Sequence, residues 1–313
     1  MTGRSSPTHP PAWREYFADP FVLRSPEGRY VAVGTEGDAP GTGRVFPILE
    51  SDDLIAWRDR GRALERLDAA LGDAYWAPEI AFAEGRWWLY FSVGRDIHGH
   101  HIRVATAADR FGPYVDAGTV LTPDERFAID AHPFLDEDGT RYLFFARDVL
   151  DHERPGTHLA VARLDGMQRL DGPVVPVLAP WADWQVYERD REMYGDRWDW
   201  HTLEGPSVVR RHGRYWMTFS AGAWTGAGYA VTWAVADHPL GPWQPALDAA
   251  APLLASDDVF LGPGHNSLTT APDGGDVIVF HSWNAERTHR LMHLRRIDFT
   301  PDGPRLGGAI GDV

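Results

Sequence analysis

The chain has 313 residues, 43% apolar, 24% charged and 12% aromatic, with a net charge of −15 and no cysteine. This is globular composition, and no apolar run approaches the roughly 18 residues of a membrane helix. All 30 basic residues are arginine, so lysine Schiff-base and phosphate-loop lysine chemistry is excluded, and with no cysteine so are thiol catalysis, thiolate zinc sites and disulfides.

The acidic balance argues against nucleic acid, whose phosphates call for clustered positive charge. Met1 to Phe17 is polar and proline-bearing. It lacks the apolar stretch of a leader, so residues 1–12 are expected to form an extended tail and the protein to be cytoplasmic. From Asp19 the sequence becomes periodic. The segments read DPFVLRSPEGRYVAVGT from Asp19, WAPEIAFAEGRWWLYFSVG from Trp76, DAHPFLDEDGTRYLFFARD from Asp130, EGPSVVRRHGRYWMTFSAG from Glu204 and HNSLTTAPDGGDVIVFHSW from His265. Each sets two runs of strand-forming residues around a glycine-bearing turn, the signature of a hairpin. The leading residue stands nine places before the turn glycine in every segment, which predicts that Asp19, Trp76, Asp130, Glu204 and His265 are structurally equivalent.

A further strand pair follows each hairpin, as in FPILESDDLIAWRD and YAVTWAVADHPLGPW. Four strands per unit over about 55–75 residues is the size of a propeller blade. The expected fold is all-β: one domain over 1–313, a five-bladed β-propeller of four-stranded antiparallel blades around a central channel. A β-sandwich needs no such constant spacing. Only a short turn near residues 63–71 interrupts the strand pattern.

If the leading residues open the innermost strands, they converge at one end of the channel. Three are carboxylates, and like charges held together raise at least one pKa, a cost that folds tolerate mainly at functional sites. Two carboxyls facing one pocket suit glycoside hydrolysis, one protonated for the leaving group and one ionised to activate water or attack carbon, with a third tuning the acid. Trp76 offers a face for a sugar ring, and His265 could hold water, a cation or a hydroxyl. The insertion WADWQVYERDREMYGDRWDWHTLE carries Trp181, Trp184, Tyr187, Tyr194, Trp198 and Trp200. It reads as a loop leading to Glu204, with Trp198 and Trp200 as pocket wall. The run His98 to His101 reads as a solvated loop, and His132 and His201 as hydrogen-bonding neighbours of the carboxylates. No HExxH, GxSxG, GxGxxG or EF-hand loop occurs.

In order, the motifs DPF, YWAPEI, AIDAHPFLDEDG, HTLEGPSV and GPGHNSL resemble those of glycoside hydrolase family 43, five-bladed propeller enzymes acting on arabinose- and xylose-containing glycans. The resemblance spans nearly the whole chain and implies an inverting mechanism. It implies Asp19 as general base, Glu204 as general acid and Asp130 as the carboxylate that tunes the acid. It also implies Arg290 near Asp130, which joins Trp76, Trp198, Trp200 and His201, read from their places in the sequence, as an expected substrate-binding residue. His265 would help hold a structural calcium ion in the channel, commonly through water, with no cofactor in the chemistry. One departure stands out: the usual Asp-Pro is here Asp130-Ala131-His132-Pro133. The expected activity is release of terminal arabinofuranosyl residues from plant cell-wall oligosaccharides, with β-xylosidase as the alternative. A non-catalytic carbohydrate-binding propeller is the alternative of another class. A fructan-acting enzyme would carry an RDP run, whereas Asp148 is followed by Val149, and a phosphorolytic enzyme would need an arginine cradle beside the carboxylates.

Overall fold

The computed structural model describes residues 9–37, 43–247 and 252–311. Strands build it in five successive groups of four. The first holds β1 Ala18–Arg24, β2 Tyr30–Thr35, β3 Val45–Ser51 and β4 Trp57–Leu64. The second holds β5 Ala74–Ala83, β6 Arg86–Arg95, β7 His98–Ala107 and β8 Val115–Val120. The third holds β9 Ala128–Leu135, β10 Arg141–Val149, β11 Gly156–Asp165 and β12 Arg169–Leu178. After a 3-10 turn at Asp183–Gln185 and β13 Val186–Met193 comes the fourth, β14 Asp196–Arg211, β15 Arg214–Ala221, β16 Ala230–Ala236 and β17 Gln244–Pro245. The fifth is β18 Leu261–Thr270, β19 Asp276–Trp283, β20 Arg290–Thr300 and β21 Gly303–Ala309.

Within each group, consecutive strands pair antiparallel. A short parallel bridge between β11 and β14 joins the third and fourth groups into one nine-stranded sheet, with β13 added beside β14. The first strands close a circuit: β1 touches β5, β5 touches β9, β9 touches β14, β14 touches β18, and β18 returns to β1.

The second strands explain the long apolar runs. Side chains alternate across a strand. Trp87, Leu89, Phe91 and Val93 of β6 therefore pack with Val31, Val45 and Leu64 of the first group. Trp88 and Tyr90 face the other way, onto Leu143 and Phe145 of the third. Each sheet is covered on both faces, so a charge at Leu89 or Phe91 would be buried without a partner, a change costing several kcal/mol.

The hairpin turns are of two kinds. Glu84-Gly85 and His212-Gly213 are two-residue turns with both φ values positive, 55° and 73° in one and 53° and 77° in the other. The first, third and fifth groups use five-residue turns, closed by bonds such as Gly28 N–H to Ser25 O and Gly139 N–H to Asp136 O.

This difference corrects the equivalence expected from the nine-residue spacing. Every first strand carries a bulge next to its partner strand. The bulge residue with positive φ is Asp19 (49°), Ala77 (46°), Asp130 (59°), Gly205 (59°) and His265 (45°). Trp76 and Glu204 thus lie one position earlier than Asp19, Asp130 and His265, because the shorter turns shift the glycine count. Proline follows at Pro20, Pro78 and Pro206, where a ladder N–H is not needed. Ala131 occupies the place of Pro20, so the departure at Asp130 leaves its bulge geometry like that of Asp19.

Two smaller expectations also change. Ala63 and Leu64 end β4, and the turn lies at residues 68–71, closed by Leu71 N–H to Asp68 O. Of the expected tail, residues 1–8 lie outside the described residues, while Ala12 N–H donates to Met292 O (2.8 Å) and Phe17 N–H to Arg290 O (2.9 Å). The segment before β1 is therefore tied along β20.

Candidate active site

The bulges sit at one end of the strand circuit, beside a cleft of about 1130 Å³. Asp19, Trp76, Asp130, Glu204, His265 and Arg290 all line it. Residues with positive φ other than glycine are strained and cluster where function over-determines the backbone. Here six of them, Asp19, Phe46, Asp96, Asp130, His265 and Arg287, line one cavity, and three of these stand at the bulges.

Asp19 is buried beside one guanidinium and two imidazoles. Its Oδ1 lies 3.2 Å from Arg290 Nη1, 3.4 Å from His281 Nδ1 and 3.5 Å from His265 Nδ1. Burial alone would raise its pKa, but Arg290, then His265, His281 and a bond from Thr35, outweigh it and hold the carboxyl well below the usual range. Arg290 was expected near Asp130. Instead it opens β20 beside β1 and pairs with Asp19 while donating through Nε to Tyr16 Oη (2.9 Å).

Glu204 has the opposite surroundings. Burial, then the charge of Asp19, raises it to about 7 despite the hydrogen bond from Tyr229 and the more distant Arg290. Its Oε1 accepts from the Tyr229 hydroxyl at 2.5 Å. Asp130 is raised well above the usual carboxylate range by burial first, then by Glu204 and Asp19. Its Oδ2 accepts the Gly205 N–H at 2.9 Å, which ties it to the backbone beside Glu204. The charge of Glu204 opposes ionisation of Asp130, which links the two carboxyls.

The expected sugar-binding residues divide. Trp76 faces the cleft, with His100 stacked on it at 3.7 Å and 17°. The expectation of a solvated loop at 98–101 fails here: the run opens β7, His100 is buried, and burial pushes it down to about 4, so it is a neutral support for the indole. The insertion before Glu204 is likewise a hairpin, β13–β14, and not a loop. Along β14 alternate residues Trp200, Thr202 and Glu204 line a small side hollow of about 70 Å³ opening beside the cleft. His201, between them, points to the other face and its Nδ1 bonds to Asp199 O (2.9 Å). Trp198 lies farther along and donates to Met193 O (3.0 Å). Trp198 and His201 thus line neither cavity. His132 bridges Glu79 Oε2 (2.8 Å) and Val208 N–H (3.0 Å), joining the second, third and fourth groups.

Several lining residues carried no sequence signal at the repeated position. Trp224 and Trp283 stack at 6.0 Å and 19°, with the Arg290 guanidinium 4.5 Å from the Trp224 ring. Tyr187 of β13 lines both cavities. Trp283 ends the fifth repeat and Trp224 follows the fourth, so equivalent strand ends were the signal available.

His265 does not sit in a cation cage. Its backbone N–H donates to Ser220 Oγ (2.7 Å), its ring faces Asp19, and Asp19 is already paired with Arg290. Calcium takes about six to eight oxygens, and among the described residues no group of three or more His, Asp or Glu is arranged to hold a metal ion. The donor set does not fit a protein-ligated calcium.

Sequence and structure comparisons bear on the cleft. The chain is 26% identical to an extracellular exo-α-(1→5)-L-arabinofuranosidase of Streptomyces avermitilis over 94% of this chain and 62% of that protein, so it spans about three-fifths of that relative. It is 29% identical to a β-D-galactofuranosidase of Aspergillus niger, over 95% of this chain and 83% of the other. A solved thermostable family-43 glycoside hydrolase superposes with a TM-score of 0.82 at 27% identity, covering 98% of this chain and 97% of that one. The Streptomyces relative is named extracellular, which overturns the cytoplasmic expectation: a polar start to the sequence does not assign the compartment. The family description "Glycosyl hydrolases family 43" matches residues 9–304, through all five strand groups and every cleft carboxylate, and the chain belongs to that family.

Proposed function

We propose that the chain is an inverting glycosidase releasing terminal arabinofuranosyl residues from arabinose-containing oligosaccharides, built as a single five-bladed β-propeller. The closed circuit of first strands and the four-stranded groups support the propeller. One observation carries the mechanism: two buried carboxyls in one cleft have pKa values driven in opposite directions. Asp19, ionised, draws a proton from a water, and the water oxygen bonds to the anomeric carbon. Glu204, protonated, passes its proton to the glycosidic oxygen as the bond to that carbon breaks. Asp130 holds the Gly205 N–H and so the backbone that carries the acid. Displacement on the far face requires about 6.5–9.5 Å between the two carboxyls.

Trp76, braced by His100, offers a stacking face, and the Trp224–Trp283 pair a second. Two relatives named for furanosides favour a furanose in the cleft. An ion at His265 would have to be held through water, and adding calcium to chelator-treated protein while following Tm checks it. A panel of nitrophenyl α-L-arabinofuranoside, β-D-xyloside and β-D-galactofuranoside, with NMR of the first-formed anomer, tests the whole reading. Arabinofuranoside turnover with an inverted anomer supports it. A retained anomer, or turnover of the xyloside alone, contradicts it.

A further inference from the structure

Tyr229 precedes β16, outside every repeated motif, and is buried within the site. Its hydroxyl bonds to Glu204 Oε1 at 2.5 Å. Its ring stacks on that of His281 at 5.9 Å and 14°. His281 Nδ1 in turn accepts the backbone N–H of Asp19 at 3.0 Å, so the His281 proton resides on Nε2. One continuous chain of contacts therefore runs from the backbone of Asp19 through His281 and Tyr229 to the carboxyl of Glu204. Room for it is built into the sequence. A Cβ on Gly264 would stand 2.0 Å from Tyr229 Cε1, so the glycine before His265 is there for the tyrosine ring.

Resting on the acid role proposed for Glu204, the geometry points to Tyr229 as a positioning residue that fixes which Glu204 oxygen carries the catalytic proton. A phenol beside a carboxyl can donate or accept. Burial, then the charge of Glu204, raises Tyr229 well above the usual phenol range, so it keeps its proton throughout turnover. Donating to Oε1, it leaves Oε2 as the protonated oxygen. In the reaction the Oε2–H bond breaks, its proton passes to the glycosidic oxygen, and the bond from that oxygen to the anomeric carbon breaks. The Tyr229 O–H stays intact, and its hydrogen bond strengthens as the carboxylate forms. The same contact chain holds acid and base at a fixed separation.

The groups facing Glu204 are Tyr229, Asp19, Arg290, Asp130 and Tyr187. Among the described residues, Tyr229 alone donates a side-chain hydrogen bond to the carboxyl, so removing its hydroxyl changes one partner. Tyr229→Phe keeps the ring, its stacking and its volume. The expected result is a roughly tenfold loss of kcat on substrates with poor leaving groups and little loss on dinitrophenyl glycosides. The basic limb of the kcat/KM profile moves to higher pH, since the carboxylate loses a donor. Introduced into Glu204→Gln, the same change adds no further loss. Fluorotyrosine at position 229, a stronger donor of nearly the same shape, moves the basic limb to lower pH and serves if the phenylalanine variant fails to fold. An unmoved limb and unchanged leaving-group dependence in both variants overturns the Tyr229 role while Glu204→Gln still shows its selective loss. Equal loss on good and poor leaving groups in Glu204→Gln overturns the acid reading itself.

Discussion

Asp19 and Glu204 share one cleft and the same deep burial, yet their neighbourhoods are opposites. Asp19 has a guanidinium, two imidazoles and a hydroxyl around it; Glu204 has a phenol at bonding distance and two other carboxyls in range. Burial pushes both up, so it does not separate them. The partners do, and the partner that matters most is Arg290, held between Asp19 and Tyr16 and against Trp224. Two side chains of the same chemistry thus acquire different protonation at one pH because a single cation is placed beside one of them.

Removing either carboxyl has the largest expected effect. Asp19→Ala is expected to lower kcat by about ten-thousandfold with the circular dichroism spectrum unchanged, and near-normal turnover would end the base assignment. Glu204→Gln should cost about a thousandfold on alkyl glycosides and less than about tenfold on dinitrophenyl glycosides. Arg290→Gln removes the first opposing charge from Asp19, whose pKa then rises. Activity lies above that pKa, so the acidic limb moves up into the measured range and kcat/KM near pH 5 falls by about tenfold or more. Asp130→Asn sharpens the other side. Burial is the first cause of the lift on Glu204, so the basic limb should remain well above the ordinary carboxylate range. A limb that drops to about 4 to 5 would show that Asp130 supplies the lift. The smallest effect belongs to the sugar platform: His100→Ala is expected to raise KM about threefold through looser stacking at Trp76, with kcat little changed.

Much of this was legible in the sequence, because a repeated hairpin with a polar residue at a set distance from its turn announces both the sheet units and the ring of side chains. Asp19, Asp130, Glu204, Trp76 and His265 all reach the cleft. The count to the turn glycine hid the one-residue offset of Trp76 and Glu204, since turn type is not visible in spacing alone. A loop at the insertion places Trp198 and His201 beside Glu204 by nearness in sequence, yet neither lines a cavity. Along a continuous strand the period of two decides instead, and it sends Trp200 toward Glu204 and His201 away. Tyr229, His281, Trp224 and Trp283 lie at second- and third-strand ends, where the loop path and the angle between neighbouring sheets determine what meets. No local pattern encodes that meeting, except the glycine at 264.

Catalysis in this cleft requires Asp19 to be ionised while Glu204 holds a proton, and difference infrared titration of wild type against Glu204→Gln reads this directly. The expected spectrum has a protonated carboxyl band, absent from the variant, that disappears only as pH rises through about 7, while the Asp19 carboxyl stays ionised and gives no protonated band above about pH 4. A Glu204 band already gone near pH 5, or an Asp19 band persisting there, would contradict it.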